Sequence, residues 1–144
     1  MRFHDWTPPE IIDGELTQYQ WIVRHTDRFT LGDKTDIGAF TYINAQNGVI
    51  IEDNVQIGSH CSIYSVSTID NKQGEVRLKK GCRIGTHSVI MPGVTIGEGS
   101  ILGAFSFANA SIPDHILAYG VPAKVVRTLT DDEVIDMQQQ ERSE

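Results

Sequence analysis

The feature that most constrains the fold of this 144-residue chain is an aliphatic residue that recurs every six positions. The repeat runs over residues 31–107 and is interrupted twice, by two extra residues before Ile51 and by three before Leu78. Glycine often follows the aliphatic residue, and a small or β-branched residue often stands four positions after it. The repeated positions are Leu31, Ile37, Ile43, Ile51, Ile57, Ile63, Ile69, Leu78, Ile84, Ile90, Ile96 and Leu102.

A period of six residues suits neither a 3.6-residue helix nor the two-residue alternation of an ordinary strand. It indicates short, flat strands joined by sharp corners, three of which close one triangular coil with the aliphatic residue pointing into the prism. Each strand is then expected to pair with its copy about eighteen residues away, at a spacing of roughly 4.8 Å. Residues 31–107 therefore predict an all-β chain with about four coils of parallel β-helix, although the period alone does not set the hand of the coil.

The flanks predict a division into three segments. We expect an N-terminal cap over residues 1–29, a β-helix domain over 30–128 and a short C-terminal helix with a tail over 129–144. The open ends of a solenoid need such covers. Trp21-Ile22-Val23 is a candidate lead-in strand, and Thr130 with Glu133 has the spacing of a capping box that opens a helix.

Composition excludes several classes of function. Twelve Lys and Arg against nineteen Asp and Glu give a net charge of −7, which argues against a broad nucleic-acid-binding surface. The mean hydropathy of −0.22 favours a globular protein, and no long apolar run or signal-peptide core stands out, so we expect no membrane span and a cytoplasmic location. Cys61 and Cys82 both fall at the small position of the repeat, which predicts buried packing rather than thiol chemistry.

Two segments carry a resemblance to the hexapeptide-repeat acyltransferases, and within them to the galactoside, maltose and xenobiotic acetyltransferase branch. They are residues 84–97, IGTHSVIMPGVTIG, and residues 120–127, GVPAKVVR. The resemblance covers roughly residues 30–128. It implies a left-handed parallel β-helix and a homotrimer in which acetyl-CoA lies in the cleft between neighbouring β-helices.

The resemblance also implies where the acyl donor binds. Backbone groups near Thr86 and Ala104 would line the pantetheine arm, and Lys124 and Arg127 would face the nucleotide phosphates. The plainer alternative is that these two cations solvate a surface turn. Asn109-Ala110 stands where the family often has Thr-Lys, so one phosphate contact is missing. Phe105 and Phe107 also stand where the family has small or aliphatic residues. The sequence leaves open whether they pack against the cofactor, a partner subunit or the C-terminal segment.

The catalytic base of the family cannot be carried over, because its histidine follows the stretch that matches residues 63–66 and residues 67–77 contain none. His60 stands where the branch commonly has an active-site asparagine, so it is the first candidate base, against the alternative of a surface or interface residue. Asp70, in the loop, is the second candidate. His87 is interpreted as a corner or interface residue. The remaining histidines, His4, His25 and His115, are given no role.

These patterns predict an acetyl-CoA-dependent acetyltransferase acting on a sugar or nucleotide-sugar hydroxyl or amine, in surface polysaccharide biosynthesis. The missing base favours an amine. The alternatives are a non-catalytic β-helix scaffold or partner-binding trimer, and a metal-dependent carbonic anhydrase of the same fold. The last needs three histidine ligands, so no metal is expected. Five cations also cluster along the chain. They form either a solvated face or a surface that attracts anionic substrates, and they are Lys72, Arg77, Lys79, Lys80 and Arg83.

Overall fold

The computed structural model describes residues 5–143, so His4 lies outside the described residues. These residues form a β-helix whose three faces are parallel sheets, as the repeat predicted. The first face consists, in spatial order, of β1 (Ile22–Arg24), β4 (Tyr42–Asn44), β7 (Ser62–Tyr64), β12 (Val89–Ile90) and β15 (Phe107–Ala108). The second face consists of β2 (Phe29–Leu31), β5 (Val49–Ile51), β10 (Val76–Leu78) and β13 (Thr95–Ile96).

The third face is the one that continues to the C-terminal end of the solenoid. It consists of β3 (Asp36–Ile37), β6 (Gln56–Ile57), β11 (Arg83–Ile84), β14 (Ile101–Leu102) and β16 (Ile116–Gly120). The strand β17 (Ala123–Thr128) then turns back and pairs antiparallel with β16. The coils thus extend beyond residues 31–107 at both ends, with β1 before the repeat and β16 after it.

The spacing between paired strands follows the interruptions of the repeat. On the first face Ile43 pairs with Ile63, Ile63 pairs with Ile90, and Ile90 pairs with Ala108. Only the last pair has the spacing of three uninterrupted six-residue repeats. The pair of Ile63 and Ile90 is the most widely separated along the chain. The corners therefore absorb the additional residues, and the parallel register of the strands is kept.

The core is the column of aliphatic side chains inside the prism. Ten of the twelve repeated positions are buried, from Ile37 to Leu102, while Leu31 is half-buried. The exception is Ile69, which is 98% exposed, so the prediction that it points into the prism is wrong. A hairpin of β8 (Val66–Ser67) and β9 (Lys72–Gln73) leaves the coil there, and Ile69 lies in its turn.

Both ends of the solenoid are covered. Trp21 is buried beside β1, and the Trp6 indole N–H donates to the Thr35 carbonyl at 2.8 Å. A short 3-10 helix, Thr26–Arg28, joins β1 to β2. At the other end α1 (Asp131–Ser143) begins with the predicted capping box. No helix within residues 5–143 is long and apolar enough to cross a membrane.

Candidate functional site

Four aromatic rings are stacked along the corner that joins the third face to the first, one in each of four successive coils. The ring centroids of Phe40 and His60 are 5.3 Å apart, those of His60 and His87 4.8 Å, and those of His87 and Phe105 4.9 Å. The last two pairs are nearly parallel, at 5° and 12°. We call these four residues the corner ladder. All four side chains are exposed.

The repeat itself positions the corner ladder, because each of its residues stands three positions after an inward aliphatic residue. All four have left-handed backbone conformations, with φ between 58° and 64°. That conformation costs a non-glycine residue roughly 1–2 kcal/mol. The chain accepts this cost in four consecutive coils, and the result is a row of rings held at the distance between coils.

A hydrogen-bonded cluster ties His87 to the neighbouring coil. The Thr86 hydroxyl lies 2.8 Å from the Ser59 carbonyl oxygen and 2.8 Å from Nδ1 of His87. The Ser59 hydroxyl lies 3.2 Å from the same Thr86 oxygen. These contacts fix the position of the His87 ring, whereas the contacts of the His60 ring within residues 5–143 are those with Phe40 and His87.

An open groove of about 340 Å³ lies on the third face and ends next to the corner ladder. Its lining includes Thr86 and Ala104, the residues that immediately precede His87 and Phe105. Its floor is formed by β6, β11 and β14. Glycine is required beneath it, since a Cβ on Gly85 would lie 2.7 Å from the Cα of Ala104 in the next coil. The two residues expected along the pantetheine arm thus border one groove.

The two predicted phosphate-binding cations lie on the edge strand of the same face. In the antiparallel register, Lys124 is opposite Tyr119 and Arg127 is opposite Leu117. Arg127 forms a two-pronged ion pair with Glu133, at 2.7 and 3.1 Å. Hydrogen bonding to Glu133 raises the pKa of Arg127, and it lowers that of Glu133 to about 2. Arg127 therefore already has an anionic partner within the chain.

Asp70 lies in the turn of the β8–β9 hairpin. The Ser67 side chain hydrogen-bonds its carboxylate, and the Lys72 ammonium lies 3.6 Å away. These contacts, the Ser67 hydrogen bond first, lower the pKa of Asp70. A carboxylate that is held ionised in this way accepts hydrogen bonds well but is a weak proton acceptor.

The cations that cluster in the sequence are spread over different parts of the fold. Lys72 belongs to the hairpin, and Arg77 lies on the second face, where it pairs with Glu52 at 2.8 Å. Arg83 lies on the third face and lines the groove, where it donates to Gln140 of α1 at 3.1 Å. The five residues do not form a single patch. The two cysteines are buried, as predicted.

A second cavity of about 340 Å³ lies between α1 and the corner that joins the second face to the third. It has cations at Lys34 and Lys80 and carboxylates at Glu98 and Glu141, so its charges balance. Burial raises the pKa of Glu141. This mixed lining lacks the row of rings beside the third-face groove, so we take the groove and the corner ladder together as the candidate site.

The sequence contained a signal for the corner ladder, because each of its four residues stands three positions after a repeated aliphatic residue. The six-residue repeat alone did not reveal that their rings stack. His60 and His87 are separated along the chain by more than one uninterrupted coil, and the hairpin accounts for the excess. Their nearly parallel rings do not converge on a common point as metal ligands do. Within residues 5–143 no three His, Cys, Asp or Glu side chains are grouped closely enough to hold a metal ion.

Comparisons with known proteins identify the repeat. The model of the bacterial transferase hexapeptide (six repeats) matches residues 75–110, and that of the hexapeptide repeat of succinyl-transferase matches residues 48–70. The galactoside O-acetyltransferase of Escherichia coli (strain K12) is 32% identical over an alignment of 118 positions, which covers 72% of this chain and 58% of that protein. WcaF of the same strain, provisionally named a colanic acid biosynthesis acetyltransferase, is 28% identical over 82% of this chain and 60% of its own length.

Among solved structures, the chain superposes on AntD, an N-acyltransferase from Bacillus cereus, with a TM-score of 0.72 and 22% identity. The match covers 89% of this chain and 86% of AntD, whose crystal contains dTDP and 3-hydroxybutyryl-CoA. A variant of AntD was crystallised with dTDP-4-amino-4,6-dideoxyglucose and coenzyme A. At this identity the likeness shows a common fold. The chain spans about three fifths of the length of the two curated relatives described above.

Proposed function

The repeat region belongs to the hexapeptide-repeat transferase superfamily, and from this membership we propose that the protein transfers an acyl group from acetyl-CoA to a sugar or nucleotide-sugar acceptor. The observation that carries the proposal is the adjacency of the third-face groove to the corner ladder. A donor in the groove would end beside two imidazoles, where an acceptor can lose its proton.

The donor would lie along the groove, with its pantetheine arm against the backbone of Thr86 and Ala104. An open groove suits a long, narrow chain better than an enclosed cavity would. Its nucleotide phosphates would be held by Lys124 and Arg127 on the edge strand, since fixed cations stabilise polyanions. Arg127 would then share its guanidinium between the phosphates and Glu133, or exchange one for the other.

The chemistry is direct transfer. The acceptor oxygen or nitrogen attacks the thioester carbonyl carbon, the C–S bond breaks, and the acceptor proton passes through a ladder imidazole to the coenzyme A thiolate. Backbone N–H groups along the corner would stabilise the oxyanion. A neutral amine attacks more readily than a hydroxyl, so the amine needs less help from a base. A single ladder imidazole can serve either acceptor.

The acceptor side of the proposal rests on the hairpin and on the relatives. The ionised carboxylate of Asp70 suits a hydrogen bond to a sugar hydroxyl or a contact with an ammonium group better than it suits proton abstraction. The curated relatives act on galactosides or are assigned to colanic acid, and AntD binds a nucleotide amino sugar. We place the reaction in surface polysaccharide biosynthesis, on the cytoplasmic side where acetyl-CoA is made.

A homotrimer with sites between subunits completes the proposal. Phe40 and Phe105, at the two ends of the corner ladder, are 54% and 65% exposed. Aromatic surface of this kind is enriched at subunit interfaces. A neighbouring copy seated against this corner would close the groove on the side that is open in the single chain. Sedimentation velocity measures the oligomeric state directly.

Calorimetric titration with acetyl-CoA tests the proposed function. Wild type is expected to bind the donor, and the Lys124→Ala/Arg127→Ala variant is expected to bind at least tenfold more weakly. Because the Arg127 change also frees Glu133, the Glu133→Gln variant is measured in parallel. It releases Arg127 and is expected to bind acetyl-CoA at least as tightly as wild type.

The Arg28→Ala variant serves as the control for a lost surface cation, since Arg28 is exposed at the end of the 3-10 helix. It is expected to leave binding unchanged. Proteins that bind are then assayed with a galactoside and with dTDP-4-amino-4,6-dideoxyglucose. Absence of binding by wild type at millimolar acetyl-CoA would contradict the proposal and favour the non-catalytic scaffold.

A further inference from the structure

We propose that the general base of this reaction is His87, and that Thr86 is the positioning residue that sets its tautomer. The inference rests on the proposed function, and it replaces His60, the first candidate from the sequence. It comes from the hydrogen bonds around the Thr86 hydroxyl, which favour one placement of the proton on the His87 ring.

The Thr86 hydroxyl has one proton and two close neighbours at 2.8 Å, the Ser59 carbonyl oxygen and Nδ1 of His87. A carbonyl oxygen only accepts hydrogen bonds. If the hydroxyl donated to Nδ1, the Thr86 and Ser59 oxygens would face each other at hydrogen-bonding distance with no proton between them. The hydroxyl therefore donates to Ser59, and Nδ1–H of His87 donates to the hydroxyl oxygen.

A neutral imidazole has one N–H, so this arrangement leaves Nε2 with a free lone pair. The two ring faces of His87 are covered by His60 at 4.8 Å and Phe105 at 4.9 Å. The exposed part of the ring is therefore the edge that carries Nε2. Thr86, whose hydroxyl contacts Nδ1, lines the groove, so the His87 ring stands next to the border of the groove where the donor would end.

His60 lacks this preparation. Within residues 5–143 its ring contacts are the tilted Phe40 ring and the parallel His87 ring, and neither nitrogen has a hydrogen bond that selects a tautomer. Its place in the corner ladder makes it a positioning residue, which supports one face of the His87 ring. Stacking with a neighbour holds a ring but does not direct a lone pair.

The proton step balances with these groups alone. The acceptor O–H or N–H gives its proton to Nε2 of His87 as the acceptor atom bonds to the carbonyl carbon. The imidazolium then has an N–H at both nitrogens, and Nδ1 keeps its bond to Thr86. When the C–S bond breaks, Nε2 returns the proton to the departing thiolate, which yields coenzyme A and the acylated acceptor.

The first test measures the tautomer and requires no activity. Nitrogen-15 NMR of the imidazoles in the wild-type protein at a pH where His87 is neutral is expected to show His87 protonated at Nδ1. The Thr86→Val variant keeps the branched side chain and removes the hydroxyl, and it is expected to lose this preference. An Nε2–H tautomer of His87 in wild type would overturn the proposal even if acetyl-CoA binds and transfer occurs.

The second test compares three changes of histidine to asparagine, a residue that tolerates left-handed backbone. With acetyl-CoA and whichever of the two acceptors is turned over, His87→Asn is expected to lower kcat about 100-fold or more while acetyl-CoA binding by calorimetry is kept. His60→Asn is expected to lower it by less than about tenfold. His25→Asn, at an exposed position with φ 65° on another corner, is the control and is expected to match wild type.

The pH profile separates a base from a structural ring. Wild type and His60→Asn are expected to share an acid limb in kcat/KM, and His87→Asn is expected to lose it. Thr86→Val is expected to lower kcat about tenfold with little change in KM. A His87→Asn variant that keeps the rate and the acid limb would overturn the assignment, as would a loss of both in His60→Asn alone. Absence of acetyl-CoA binding by wild type would instead contradict the proposed function.

Discussion

The carboxylate of Glu133 accepts two N–H groups of Arg127, at 2.7 and 3.1 Å, while its Oε1 also accepts the backbone N–H of Thr130 at 3.0 Å. One side chain therefore caps α1 and fastens it to β17, the edge strand of the third face. The Thr130 hydroxyl completes the capping box by accepting the Glu133 N–H at 3.2 Å. The contact of the first turn of α1 with the edge strand thus depends on the charge of a single carboxylate.

Acid is expected to release α1 from the edge strand. The pKa of Glu133 is lowered from its ordinary 4.5 to about 2, so its stabilising contribution is complete above about pH 4.5 and is lost as the pH falls towards 2. The protection of the α1 amides, taken relative to the intrinsic exchange rate at each pH, should fall over this range in wild type. In Glu133→Gln the protection should already be low at neutral pH and should change little with acid. The Asp132→Asn variant, which changes an exposed first-turn carboxylate, should behave as wild type.

Adding a methyl group at Gly85 is expected to disrupt coil stacking. Its Cβ would lie 2.7 Å from the Cα of Ala104 and 2.8 Å from the carbonyl carbon of Gly103, both backbone atoms that cannot move independently of their coil. Gly85→Ala should therefore cost about 3 kcal/mol in the free energy of unfolding. Gly93→Ala meets no atom within 4 Å and should cost only about 1–2 kcal/mol, because its φ is +82°. Denaturant unfolding compares the two; equal costs would contradict this account.

The two buried cysteines are expected to respond differently to serine. The thiol of Cys61 lies 3.3 Å from the Gly85 carbonyl oxygen, which a serine hydroxyl could use as an acceptor. Cys82 is wholly buried, and burial raises the pKa of its thiol. Cys82→Ser should cost about 2 kcal/mol and Cys61→Ser less than about 1 kcal/mol. Thermal unfolding of both variants measures the difference, and the reverse order would show that the Gly85 contact is not available to a hydroxyl.

Truncation of two repeated isoleucines tests where the chain leaves the coil. Ile63 is completely buried, so Ile63→Ala should cost about 3 kcal/mol. Ile69 stands at the next repeat position but is 98% exposed, so Ile69→Ala should change the free energy of unfolding by less than about 0.5 kcal/mol. Chemical denaturation at a concentration where the chain is monomeric makes the comparison. A large loss at Ile69 would place it in the core.

Much of the candidate site could be predicted from local patterns, and the failures have a common cause. The repeat predicted sharp corners, and His87 was interpreted as a corner or interface residue, while His60 was singled out by the family position that it matches. Their stacking was not apparent, because their separation along the chain exceeds the three hexads of an uninterrupted coil. The hairpin contributes the additional residues. Ile69 lies within the hairpin but continues the six-residue period, so the sequence does not show where the chain leaves the coil.

The path of the chain follows from local patterns in the amino-acid sequence. An aliphatic residue every six positions, with small residues beside it, can be buried only if the strands are short and the coils stack, so the faces and the core followed from the period. The capping box of α1 was equally local. Each of these features depends on residues close together in the chain, whose spacing the sequence records directly.

The contacts between side chains of different coils, in contrast, became visible in the folded chain. The ring of His87 lies between those of His60 and Phe105, its Nδ1 is bound by Thr86, and Arg127 is held by Glu133. The physical reason is that strand pairing fixes the distance between coils at the backbone, while the number of residues in each corner varies freely. The stacked backbone therefore determines which residues of neighbouring coils come into contact. Their separation along the chain does not predict these contacts.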